Sequence, residues 1–93
     1  MPYFVYILFS ERDKNLYTGY SEDLKSRVKR HQSGFARATK YRLPIKLIYY
    51  ECYLDKLDAK RREKFLKGGK GKNELKIQLQ NIFRKLRYKH MAG

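Results

Sequence analysis

Five side chains in this sequence can do chemistry together: Tyr6, Tyr17, Arg27, His31 and Glu63. Tyr6 closes the run Phe4-Val5-Tyr6, and Tyr17 opens Tyr17-Thr18-Gly19. Arg27 and His31 stand four apart, and Glu63 is the one acid within Lys60-Arg61-Arg62-Glu63-Lys64. Tyrosine and histidine can carry protons. Arginine grips a phosphate bidentately and never loses its charge. A carboxylate can hold a magnesium ion that keeps its waters and takes further oxygens from a phosphate. Such a set suits the cutting of a phosphodiester, where water must attack phosphorus, charge on the phosphoryl oxygens must be stabilised and the leaving oxygen must depart.

Each residue also has a plainer reading. Glu63 can pair with Lys60 or Lys67, three and four residues away on a helix. Arg27 can belong to a solvated helix face with Lys29 and Arg30. His31 can meet the last carbonyls of a helix that ends before Gly34. The chain has nine tyrosines, so core packing is the common fate of any one, and a reference pKa of about 10 makes tyrosine a weak base unaided. Tyr20, Tyr41, Tyr49, Tyr50 and Tyr53 are candidates for the core or for base stacking.

The elements that must position these groups follow from local pattern. Tyr3 to Phe9 is an unbroken apolar run and predicts a buried strand. Glu11 to Asn15 is a polar turn, and Leu16-Tyr17-Thr18 a short second strand ended by Gly19, where a side chain would obstruct a close approach. A helix over 22–33 follows, with Ser21 as N-cap, Leu24 and Val28 toward the core and Gly34 as its stop. Residues 35–44 read as a loop closed by Pro44. Ile45 to Tyr53 alternates as a third strand, with Leu47, Tyr49, Glu51 and Tyr53 on one face. Asp55 or Asp58 caps a second helix running to about Lys67, with Ala59, Glu63 and Leu66 along one stripe. Gly68-Gly69-Lys70-Gly71 breaks it. Asn73 then caps a third helix, whose Leu75, Leu79, Ile82 and Leu86 form an apolar stripe; Ile77 and Phe83, if exposed beside it, would offer a dimer face. The expected fold class is α+β: a small three-stranded antiparallel sheet packed with helices in the order ββαβαα. It forms a single domain over residues 1–87, with 88–93 a frayed tail.

Ninety-three residues with a formal net charge of +14 fit one domain with a polyanionic partner, because basic residues displace counterions from a phosphate backbone. Residues 55–93 hold the denser share of that charge. Lys25, Arg30, Arg37, Lys40, Lys67, Lys70 and Lys72, with Gly19 and Asn73, are the expected nucleic-acid contacts, DNA before RNA. Cys52 is alone, so no internal disulfide forms, and a reducing, cytoplasmic setting is expected. No apolar stretch approaches the ~20 residues of a membrane span. The expected assembly is a monomer or weak homodimer.

In order and spacing, these residues resemble the GIY-YIG nuclease superfamily, especially its small single-domain members. The resemblance covers residues 3–75. Tyr6 matches the tyrosine of the first motif tripeptide, Tyr17 and Gly19 the ends of the second, Arg27 the arginine, Glu63 the glutamate and His31 a histidine present in some members. Phe4, Val5 and Thr18 depart from the pattern; Val and Thr sit well in strands. Asn73 is the candidate for a late supporting asparagine. The resemblance implies an endonuclease with one divalent ion, Mg²⁺ or Mn²⁺, on Glu63. It implies in-line hydrolysis by water activated at Tyr6 and His31, with Tyr17 positioning substrate or water, and 5′-phosphate and 3′-hydroxyl products. With no sequence-reading module, selectivity for DNA structure in repair or recombination is expected. The rival reading is a non-cutting basic module of the same fold. An RNA- or ribosome-associated protein ranks third, as no RNP-type motif is present.

Overall fold

The computed structural model describes residues 2–90. Three antiparallel strands, β1 (Tyr3–Ser10), β2 (Leu16–Ser21) and β3 (Ile45–Tyr53), form one sheet in the order β2-β1-β3. Helix α1 (Leu24–Gln32) lies on one face; α2 (Lys56–Lys67), α3 (Gly69–Gln78) and α4 (Gln80–Leu86) serve the other. This is the expected α+β fold, with the last helical segment divided in two at Leu79.

β1 is apolar from Tyr3 to Phe9 because it is central and covered on both sides. Val5, Ile7 and Phe9 join Leu16, Ala59, Leu66, Leu75 and Phe83 in the main core. Tyr6 and Leu8 face the opposite way, into a smaller cluster with Ile45, Leu24 and Val28. A strand buried on both faces loses the polar alternation of a half-exposed one.

Several local expectations change. β2 continues through Gly19 to Ser21 rather than stopping at Thr18. Helix α1 is capped by Asp23, whose side chain accepts from the Ser26 amide at 3.1 Å, while Ser21 Oγ accepts from the Asp23 amide. A register shift opposite Ile7 and Leu8 turns Leu47 away from Tyr49, so Leu47 packs toward α1 and Tyr49 toward the main core. An extra residue in one strand inverts the facing of all that follow.

At the α2–α3 corner only Gly68 is extended, with φ −87° and ψ 172°. Gly71 lies inside α3, where a Cβ would overlap the backbone of Phe65 and Leu66, so its lack of a side chain lets α3 cross close to the end of α2. Asn73 is an exposed residue within α3 and caps nothing. Ile77 is exposed, but Phe83 is fully buried and leaves no paired dimer face. Glu51 accepts from Tyr49 and Tyr53 hydroxyls and from Arg62, which also reaches Glu74 at 3.1 Å, tying β3, α2 and α3 together.

The expected frayed tail begins too early. Arg87 takes a left-handed turn (φ 59°), Tyr88 is buried against Phe83 with ring centroids 4.8 Å apart, and the Lys89 amide donates to Lys14 O at 2.8 Å. Residues 91–93 lie outside the described residues. Among the described residues no helix is long and apolar enough to cross a membrane. Tyr88→Ala should destabilise the protein by about 2–4 kcal/mol in urea unfolding, as expected for an aromatic deleted from a core; an unchanged midpoint would show that this residue contributes nothing to the fold.

Candidate active site

The site is built outward from Tyr6. Tyr6 and Gly19 are cross-strand partners, and the Tyr6 ring lies over the glycine so closely that a Cβ there would overlap the phenol carbon and hydroxyl. Gly19 is therefore buried beneath the catalytic candidate. The hydroxyl end of Tyr6 is carried over edge strand β2.

Helix α1 brings His31 to that hydroxyl. The Tyr6 hydroxyl and His31 Nε2 are 3.0 Å apart, and His31 Nδ1 is 2.7 Å from Thr39 Oγ1. All three residues are buried. The chain Tyr6–His31–Thr39 can run in either direction, according to which ring nitrogen holds the proton. His31 thus does not satisfy helix-end carbonyls. Thr39 had no signal in the sequence: it is one threonine in a polar loop, and only the fold brings it under α1.

That loop is fastened in turn. Arg42 holds Asp13 through two hydrogen bonds, Nε at 2.6 Å and an Nη at 3.2 Å, and donates to Leu16 O. Ser10 Oγ donates to Arg42 O at 2.6 Å. The turn after β1 therefore anchors the segment that positions His31.

Tyr17 and Arg27 complete one wall. The Tyr17 ring is 5.0 Å from His31 and 6.4 Å from Tyr6, centroid to centroid. Tyr17, Ser21, Ser26, Arg27, Arg30, His31 and Arg37 line a cleft of about 520 Å³. Arg27 is exposed, yet its guanidinium stands beside the Tyr6 hydroxyl and favours that group's ionisation. The i, i+4 spacing does set Arg27 and His31 on one side of the helix.

Glu63 arrives from the other face of the sheet. Its side chain is only 15% exposed and makes both ion pairs the plain reading names, to Lys67 at 3.1 Å and Lys60 at 3.9 Å. Its charge nevertheless reaches the hydroxyls of Tyr6 and Tyr20. Because β2 is an edge strand, groups from both faces meet along its outer rim. Among the described residues no three His, Cys, Asp or Glu side chains gather as a ready metal cage. A single carboxylate fits a hard divalent ion that keeps most of its waters and completes its shell from a phosphate; it does not fit a closed or sulfur-seeking site.

Electrostatics assigns the proton states. Burial first, then the neighbouring Tyr17 charge, pushes Tyr6 up to about 12, against the opposing pull of Arg27. Burial first, then Arg27 and Arg30, pushes His31 below its usual value. Near neutrality the pair is a phenol and an uncharged imidazole, so the acceptor is the imidazole.

The chain's residues 2–76 match the family model described as the GIY-YIG catalytic domain. This chain belongs to the GIY-YIG family. It is similar to the UPF0213 proteins SpyM50708 and SpyM3_1077 of Streptococcus pyogenes serotypes M5 and M3, each 44% identical over 63 residues, 67% of this chain and 68% of the relative. A solution NMR structure of the UPF0213 protein BH0048 from Bacillus halodurans is 31% identical, with a TM-score of 0.54 and full coverage of both chains.

In this GIY-YIG domain the expected basic contacts divide by place. Arg30 and Arg37 line the cleft, and Lys25 lies on the other side of α1. Lys40 stands over the Tyr41 ring at 4.9 Å. Lys67 is engaged with Glu63, Lys72 donates to Lys67 O, and Lys70 sits at the α2–α3 corner. Asn73 is exposed within α3.

Two outcomes follow from this geometry. Gly19→Ala should displace the Tyr6 ring and destabilise the fold by about 1–3 kcal/mol, the usual cost of overpacking, read by urea unfolding. For His31, the unfolded chain takes up its proton at about pH 6.5 while the folded chain resists. Stability due to His31 is therefore present above about pH 6.5 and falls away as pH drops through the lower folded value. The stability advantage of the parent over His31→Asn should shrink as pH is lowered from about 8 to about 5; a constant difference would contradict the buried neutral imidazole.

Proposed function

We propose that this protein is a divalent-metal-dependent endonuclease that hydrolyses DNA phosphodiester bonds, selecting for DNA structure rather than sequence. The observation that carries the reading is the hydrogen-bonded Tyr6–His31 pair with Arg27 at its side and Glu63 across the rim of β2. Family membership supports the same reaction class.

The residues divide the work as follows. A water held near Tyr6 passes a proton into the hydroxyl–imidazole chain, with neutral His31 the acceptor and Thr39 fixing the ring. Arg27 neutralises charge on the phosphoryl oxygens, which grows as the attacking oxygen approaches. Tyr17, its ring tilted against that of His31, positions the water or the substrate sugar-phosphate. Glu63 would hold Mg²⁺ or Mn²⁺, which when bound supplies charge stabilisation at the leaving 3′ oxygen. Binding one ion on Glu63 would compete with Lys67 and Lys60, so those lysines must swing away or onto substrate phosphate. The products carry 5′-phosphate and 3′-hydroxyl ends. Structured intermediates of DNA repair or recombination are the substrate class proposed for this compact basic domain.

The test is cleavage of labelled duplex, nicked, flapped, four-way and single-stranded DNA and structured RNA, with Mg²⁺, Mn²⁺ or EDTA. Arg27→Ala and Glu63→Gln should each lower the rate by about 10²–10³-fold, the scale of removing one transition-state electrostatic contact, and EDTA should abolish cutting. Binding of nucleic acid without cutting on any substrate would replace this reading with the non-cutting module. Full activity in Glu63→Gln would remove Glu63 from the metal role.

A further inference from the structure

Helix α1 has a second concave flank. Pro2, Phe4, Leu24, Val28, Leu47 and Tyr50 line a largely apolar groove of about 760 Å³ between α1 and the β1–β3 side of the sheet. Phe4 and Tyr50 meet edge to face there, centroids 6.0 Å apart, and Tyr50 is 53% exposed. An aromatic left open to water beside an apolar floor presents a π-face to whatever enters.

The division of α1 is strict. Leu24, Val28 and Gln32, with Lys25 and Lys29, face the groove, while Ser26, Arg27, Arg30 and His31 face the catalytic cleft. These are the two sides that a 3.6-residue repeat separates. A shallow depression over Asp23, Lys25, Ser26 and Lys29 joins the two across the helix.

The rim charge tells what fits. Among the described residues Lys25 and Lys29 have no carboxylate partner, so their charge faces solvent. The two acids on the rim are occupied. Glu22 takes the Tyr20 hydroxyl at 3.1 Å and stands 3.8 Å from Lys56, and Asp23 caps α1. An apolar aromatic slot with cationic edges matches a flat base joined to phosphates.

We infer that this groove is a subsite for an unpaired base of single-stranded nucleic acid, whose phosphates cross α1 over Lys25 and Lys29 into the cleft. A helix is about 10–12 Å across and a stacked strand advances about 3.4 Å per nucleotide. The base in the groove therefore lies about three nucleotides from the phosphate beside Arg27. The inference rests on the nucleic-acid reading of the same site and makes the preferred substrate one with a single-stranded arm. It does not require turnover.

The experiment is equilibrium binding of a short labelled single-stranded DNA, the same sequence as RNA, and the blunt duplex, all in EDTA so that nothing is cut. Tyr50→Ala should weaken single-strand binding about tenfold, as loss of one stacked base does, leave duplex binding within about twofold, and be rescued by Tyr50→Trp. Comparable DNA and RNA losses would show that the groove reads the base alone; loss on one only would identify the sugar preferred. In the unmodified protein, 5-iodouracil in the single strand should photocrosslink to Phe4 or Tyr50. Equal losses on single strand and duplex, no loss at all, or crosslinks confined to other residues would overturn the inference. So would a dimer in sedimentation that Tyr50→Ala dissolves, because the groove would then hold a second copy. If binding behaves as stated but no substrate is ever cut, the nuclease reading falls and the subsite stands.

Discussion

The hydrogen bond between Tyr6 and His31 is the point at which the sheet, helix α1 and the 35–44 loop meet. Tyr6 is fixed from below by a glycine that leaves it room, and from the side by an imidazole that is itself held by Thr39. A buried hydroxyl and a buried ring nitrogen each demand a partner, since leaving one unmade costs the full desolvation penalty. Each satisfies the other, and among the described residues no buried side-chain polar atom is left without a partner. The Tyr6–His31 pair is thus a structural tie, and loosening it would disturb the placement of α1 and everything α1 carries.

The doubly buried central strand makes this tie possible. With Val5, Ile7 and Phe9 committed to one core and Tyr6 and Leu8 to the other, β1 from Val5 onward exposes none of its side chains freely. The only escape for a polar tip is sideways, over the edge strand. Tyr6 takes that route, and Glu63 reaches the same rim from the opposite face. The site therefore lies on an edge of the sheet rather than in a closed pocket. An edge site suits a long polymeric substrate, which needs access along its length.

Much of this was legible in the sequence where the cause is local. β3 runs over its expected residues because Pro44 and the alternation of Ile45 to Tyr53 are signals within one segment. Helix α2 is capped by Asp55 and ends at Lys67, as the acid and the following glycines imply. What was not legible depends on distant neighbours. Gly19 reads as a terminator, yet it is mid-strand because another strand's tyrosine fills its space. Leu47 changes face because of a bulge that alternation cannot show. Asn73 and Gly71 were expected to start or stop helices, whereas the close crossing of α2 and α3 keeps both inside α3. Thr39, Tyr88 and the Glu51–Arg62–Glu74 tie have partners many residues away and no motif of their own. The five-residue set was legible only as a constellation, in residue types, order and spacing that resemble the family's motifs. The manner in which they are held was not.

The fastening of the 35–44 loop gives the site two separate acid responses. Hydrogen bonding to Arg42 first of all holds the Asp13 carboxyl down to about 2, even against its partial burial. By the sign of the shift, its contribution is intact above the ordinary aspartate range and disappears only as pH falls through that low value. His31, starting from a higher ordinary value, is also pushed down, by burial first and then by Arg27 and Arg30. Above the ordinary aspartate range, the strap that carries Thr39 stays fastened. Mild acid above that range therefore leaves the wall of the site latched.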